Sequence, residues 1–129
     1  MKAQARILIV DDEQDMCKVL QGLLEPAGHE VECVFDATSA LAALAEQPFH
    51  LVLADIMMPE IDGMELLQRI KETDPSIAVV LITAYASLNT TIRAVRYQAD
   101  GYLTKPLASR QVLLDAVEST LVAAGATRS

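Results

Sequence analysis

Five short apolar runs, each followed by a stretch of helical period, constrain this chain more than any other feature. Arg6 to Val10 (RILIV) runs into Asp11-Asp12-Glu13, and Leu51 to Ala54 (LVLA) runs into Asp55. Ile77 to Ile82 ends at Thr83, and Gly101 to Thr104 ends at Lys105-Pro106. Val31, Cys33 and Phe35 alternate with Glu32 and Val34, which predicts a second strand less buried than the first. Apolar runs of this length between breakers suit strands covered on both faces.

The intervening segments change period. Met16, Val19, Leu20, Leu23 and Leu24 recur at three- and four-residue spacing and predict a helix that Pro26 and Gly28 end. Ala37 to Gln47 predicts a second helix, with Leu41 and Leu44 on one face and Pro48 beyond it. Met64, Leu67 and Ile70 mark a third helix after Asp62-Gly63, and Asp74-Pro75-Ser76 reads as a loop. Leu88, Ile92, Val95 and Ala99 give a sparse stripe for a fourth. Val112, Leu113, Ala116, Val117, Leu121 and Ala124 predict the last.

Strand and helix therefore alternate five times with short connections. Strict alternation implies a parallel sheet with helices on both faces. Five of each in a chain of 129 residues fit the α/β flavodoxin-like doubly wound fold, order 2-1-3-4-5, with its switch point between strands 1 and 3. One domain spanning residues 1–129 is expected, with its core at about 6–124 and a frayed tail from Gly125 to Ser129.

Composition narrows the function classes. A hydrophobic fraction of 52% predicts a sizeable core, and a net charge of −8 argues against direct nucleic-acid binding. No apolar stretch reaches the roughly 20 residues of a membrane span, and no leader precedes the first run, so a cytoplasmic protein is expected. Cys17 and Cys33 have no metal-ligand spacing and read as buried free thiols. His29 and His50 are expected at the surface, in loops, without a role.

In this fold the carboxyl ends of the strands share one edge. Asp11 and Asp12, Asp55, Thr83 and Lys105 would converge there. Three clustered acids repel one another unless a cation intervenes. A hard divalent ion, Mg²⁺, suits such oxygen donors and commonly adds phosphate oxygens to its shell. A carboxylate beside Mg²⁺ can attack phosphorus and form an aspartyl-phosphate. Mg²⁺, the Lys105 ammonium and the Thr83 hydroxyl would supply one contact for each phosphoryl oxygen.

Taken in order, Asp11-Asp12-Glu13, Asp55 with Met58-Pro59 and Asp62-Gly63, Thr83-Ala84, and Tyr102-Leu103-Thr104-Lys105-Pro106 resemble a response-regulator receiver domain of two-component signalling. The segment Thr83-Ala84-Tyr85-Ala86-Ser87 is most similar to receivers of the nitrogen-regulator type. The resemblance implies that Asp55 is the phosphoacceptor, that Thr83 and Lys105 hold phosphoryl oxygens, and that Tyr102 is an aromatic switch. It implies Asp12 as a direct Mg²⁺ ligand, Asp11 as one acting through water, and the Met57 backbone carbonyl as a third. The implied donor is a sensor histidine kinase or a histidine phosphotransfer protein. An output domain, a protein target or a homodimer would receive the signal through the face formed by helix 4, strand 5 and helix 5. The thin stripe of helix 4 suits an element that shifts easily. Such a domain is not a conventional enzyme, but it would catalyse its own phosphorylation and autodephosphorylation.

Met57 stands where many relatives carry a polar residue, and with Tyr85 it should tune hydrolysis by limiting the approach of water. Gln98 stands where glycine is frequent, so the turn before strand 5 is expected to differ. An aspartate-nucleophile phosphatase of the haloacid-dehalogenase type needs an Asp two residues after the nucleophile. Met57 and Glu13 occupy that offset from Asp55 and Asp11. A flavin carrier of the same fold needs a Ser/Thr/Gly-rich loop after strand 1, where this chain has acids.

Overall fold

The computed structural model describes residues 4–107 and 109–125. Five strands, β1 (Arg6–Val10), β2 (Glu30–Val34), β3 (Leu51–Asp55), β4 (Ala78–Thr83) and β5 (Gly101–Thr104), alternate with five helices. These are α1 (Gln14–Leu24), α2 (Ala37–Glu46), α3 (Gly63–Thr73), α4 (Leu88–Arg96) and α5 (Arg110–Ala123). All strand pairs are parallel, in the order β2-β1-β3-β4-β5. The expected doubly wound order is the observed one.

Side-chain alternation along the central strands builds two cores. Leu8, Val10, Val52, Ala54, Val79 and Leu81 face α2, α3 and Ala94 of α4. Ile7, Ile9, Leu51, Leu53, Ala78 and Val80 face α1 and α5 through Cys17, Leu20, Leu24, Leu113, Val117 and Leu121. Each fully buried aliphatic side chain contributes about 1.5–3 kcal/mol, so β1, β3 and β4 form the rigid centre. Cys17 is buried, Cys33 is half-buried, and both are free thiols.

Several expectations need correction. Ile77 precedes β4, its N–H donating to the Asp74 carbonyl. Phe35 lies beyond β2 and is exposed, and so is Val19 of α1. In α2 the fully buried positions are Ala37 and Ala40, while Leu41 and Leu44 are half-buried at the rim. Val112 and Ala124 at the ends of α5 are exposed. The stripe of α4 mostly faces outward: Leu88 and Val95 are 77% and 75% exposed, and Ala94 is the buried residue. Ala99 lies past the helix end at Arg96.

His29 is buried, not superficial, and its Nδ1 accepts the Ala5 N–H at 3.2 Å. Burial lowers its pKa, against the pull of Glu118. His50 is exposed, yet its Nδ1 accepts the Arg6 N–H at 3.0 Å. Residues 126–129 of the expected frayed tail lie outside the described residues.

The helix starts follow from local chemistry. Asp36, Asp62 and Ser109 accept the N–H of Ser39, Glu65 and Val112, and Ser87 with Thr90 forms a reciprocal capping box. Helix α1 lacks a side-chain cap. The acids that precede it are used elsewhere.

Candidate functional site

The carboxyl ends of β1, β3, β4 and β5 bring Asp11, Asp55, Thr83 and Lys105 together. Asp11, Asp55 and Thr83 are buried, and the Lys105 side chain is only 8% exposed. Lys105 Nζ lies 2.9 Å from Asp11 Oδ2 and 3.3 Å from Asp55 Oδ2, with Glu13 Oε1 at 3.5 Å. The remaining oxygens are also engaged. Asp11 Oδ1 accepts the Glu13 N–H at 2.9 Å, and Asp55 Oδ1 accepts the Met57 N–H at 3.2 Å. These contacts hold both carboxylates by backbone and ammonium at once.

Asp12 is exposed, but one oxygen of each of Asp11, Asp12 and Asp55 lies within 4.8 Å of the others. The Lys105 ammonium meets Asp11, Asp55 and Glu13, and Asp12 adds a further carboxylate to the cluster. That donor set, all hard oxygens with a surplus of negative charge, fits Mg²⁺. Burial raises the Asp55 pKa, and the charge of Asp11 raises it further; Lys105 and the Met57 N–H pull it back only in part. For Lys105, burial opposes protonation, but the hydrogen bond and charge of Asp11, then those of Asp55, outweigh it and raise the pKa.

Thr83 Oγ1 accepts the Tyr85 N–H at 3.1 Å, which shapes the start of the β4–α4 loop. The Met57 and Tyr85 side chains are exposed beside these two turns. Tyr102 stands apart from the acids. It pairs with Leu81 across β4 and β5 and packs on the α2–α3–α4 side of the sheet. Its hydroxyl lies 2.7 Å from Thr90 Oγ1.

Two contributors escape sequence reasoning. Gly63 reads as a turn residue, but its necessity is steric. A Cβ there would lie 2.2 Å from the Asp55 carbonyl oxygen, and the Gly63 N–H donates to Ile56 O at 3.0 Å. The start of α3 is thereby pressed against the backbone that carries Asp55. Thr90 is the other. Its signal was the Ser87-x-x-Thr90 spacing of a capping box.

Gln98 adopts φ 66°, the conformation for which glycine is favoured. Its N–H donates to Val95 O and the Ala99 N–H to Ala94 O. These are the two bonds of a Schellman motif, whose left-handed position is usually glycine. The departure expected from the sequence therefore lies in residue type, while the turn itself is regular.

This chain is 44% identical over 104 residues to the transcriptional regulatory protein ZraR of Klebsiella oxytoca, a match covering 81% of this chain and 24% of that protein. It spans about a quarter of the length of the ZraR relatives it matches. Among solved structures, NtrX from Brucella abortus has 35% identity and a TM-score of 0.89, covering 95% of this chain and 28% of that one. A CheY-like receiver domain protein from Methanospirillum hungatei has 32% identity and a TM-score of 0.90, covering 95% and 98%. The family model for the response regulator receiver domain matches residues 7–118. With the five-stranded order and the acidic edge in place, the chain belongs to the response regulator receiver domain family.

Proposed function

We propose that this domain is a phosphorylation-dependent switch that accepts a phosphoryl group on Asp55 from a phosphohistidine. The observation that carries this reading is the Lys105 ammonium bridging Asp11 and Asp55 at 2.9 and 3.3 Å inside a buried acidic crevice. The donor is a sensor histidine kinase or a histidine phosphotransfer protein.

In the transfer, an Asp55 oxygen attacks phosphorus as the phosphorus–nitrogen bond to the donor imidazole breaks. The electron pair of that bond stays on the imidazole nitrogen. Lys105 moves its contact from the Asp55 carboxylate to a phosphoryl oxygen. The Thr83 hydroxyl donates to another. Asp11 and Asp12, with Asp55 and the Met57 carbonyl, would hold Mg²⁺, which supplies charge neutralisation at the acids and the transferred group. The protein supplies positioning, the larger part of catalysis in phosphoryl transfer.

Autodephosphorylation needs a water in line with the scissile bond. The exposed Met57 and Tyr85 side chains stand beside that approach and cannot orient a water as a carboxamide would, which favours a long-lived phosphorylated state. Occupation of the site draws Thr83 inward and lets Tyr102 turn toward the space it leaves. The α4–β5–α5 face then changes shape and reports to an output domain, a protein target or a second copy. Among the described residues no helix is long and apolar enough to cross a membrane, in keeping with work in the cytoplasm.

Incubation with Mg²⁺ and acetyl phosphate, followed by intact mass spectrometry, tests the chemistry. One acid-labile phosphoryl group is expected on the wild type and none on Asp55→Asn or after chelation of Mg²⁺. Equal labelling of the Asn variant would rule Asp55 out.

A further inference from the structure

The Thr90 hydroxyl sits at a junction that the phosphorylation chemistry does not use. Its oxygen lies 2.7 Å from Tyr102 Oη, accepts the Ser87 N–H at 3.0 Å and lies 3.1 Å from the Ser87 carbonyl oxygen. Ser87 Oγ in turn accepts the Thr90 N–H at 3.1 Å. A hydroxyl has one hydrogen and two lone pairs. One assignment accommodates the three contacts of the Thr90 hydroxyl. Tyr102 donates to Thr90, Thr90 donates to the Ser87 carbonyl, and the Ser87 N–H fills the second lone pair. The phenol of β5 is thus a member of the N-terminal cap of α4.

The mechanical setting makes this contact matter. Helix α4 buries only Ala94, so apolar packing holds it weakly. The loop before it is fastened by hydroxyls at both ends, Thr83 Oγ1 on the Tyr85 N–H and the Ser87–Thr90 box. The Ser87 hydroxyl lies 3.2 Å from Thr90 Oγ1 and can donate there in place of the phenol. The cap therefore has two bonded arrangements, one with Tyr102 and one without.

We infer that Thr90 is a positioning residue that latches the first turn of α4 to Tyr102, so that departure of the ring releases the turn. The inference rests on the switch reading above for what moves the ring; the latch belongs to the resting domain.

Amide hydrogen exchange at Thr90 and Thr91, measured by NMR on the unphosphorylated domain, tests the latch. Tyr102→Phe should speed exchange roughly three- to tenfold, the range for loss of one net hydrogen bond, and Thr90→Val by more, because it also leaves the Ser87 N–H without its acceptor. The double variant should exchange no faster than Thr90→Val, which already removes the bond to Tyr102. Thr90→Ser, which keeps the hydroxyl, should behave as wild type. Multiplying effects, or a Ser variant as fast as Val, would overturn the latch. Acetyl phosphate should label Thr90→Val as it labels wild type, while beryllofluoride should shift its α4 amides less. Equal α4 shifts in the two proteins would also overturn it. A wild type that takes no label would sink the phosphorylation reading and leave the exchange pattern to decide the latch alone.

Discussion

Helices α3 and α4 lie on the same side of the sheet, both start at well-made caps, and both show apolar residues at helical spacing. Their anchoring differs. Helix α3 buries Gly63, Met64, Leu66, Leu67 and Ile70. Helix α4 buries Ala94 and leaves Leu88, Ile92 and Val95 in solvent. Helix α3 also begins against the backbone of Asp55, through the close approach at Gly63. The helix that steadies the reactive carboxylate is thus held by packing, which resists displacement. The helix beside Tyr102 is held at its start by hydrogen bonds, which can exchange partners at little cost.

Truncation should expose that contrast most strongly. Leu67→Ala is expected to cost about 2–5 kcal/mol in urea unfolding, with loss of buried contacts and a cavity beneath β3 and β4. Ile92→Ala should stay within about 0.5 kcal/mol of wild type. Equal losses would mean that α4 is as firmly packed as α3.

The next effect belongs to the acidic edge, where α3 begins. The folded state raises the Asp55 pKa, so it holds the Asp55 proton more tightly than the unfolded chain does. The stability this provides is full below the unfolded value near 3.8 and is lost as pH rises through the folded value. At neutral pH without Mg²⁺ the ionised carboxylate is a burden, and Asp55→Asn should be more stable than the wild type in urea unfolding. Acidification should shrink the gap, and added Mg²⁺ should narrow it by stabilising the wild type. A destabilised Asn variant at neutral pH would show that the Lys105 contact outweighs the burial.

The smallest effect lies at the other end of α4. Gln98→Gly relieves a left-handed residue of the Schellman turn while adding freedom to the unfolded chain. A net gain below about 1 kcal/mol is expected, seen as a rise in Tm of a few degrees. Helix α4 would then be better fastened at its C-terminal end without any change at its cap. An unchanged or lower Tm would show that the Gln98 side chain repays its backbone strain.

The strands and the acidic edge were legible in the sequence because each depends on a local pattern. LVLA followed by Asp55 needs no partner to be read as a buried strand with an acid at its end. The orientation of α4 was not legible, because periodicity announces a stripe and says nothing about which neighbour covers it. Ala99 matched that stripe by spacing but lies beyond the helix, past the turn at Gln98. The burial of His29 was hidden for a related reason: its partner, the Ala5 amide, is 24 positions away. Gly63 was read correctly as a turn but for an incomplete reason, since the approach of a second backbone segment leaves no mark on local composition.

The two histidines carry a consequence for traffic between molecules. Each uses Nδ1 to accept a backbone amide at the start of β1, Ala5 for His29 and Arg6 for His50. That is the amino edge of the sheet, at the opposite end of the strands from Asp55. No imidazole of this chain is therefore free to visit its own acceptor as a donor. On the proposed function, a phosphohistidine donor therefore has to lie on another polypeptide or domain. For a separate donor molecule, the loading rate follows the frequency of encounter and so depends on how much donor is present.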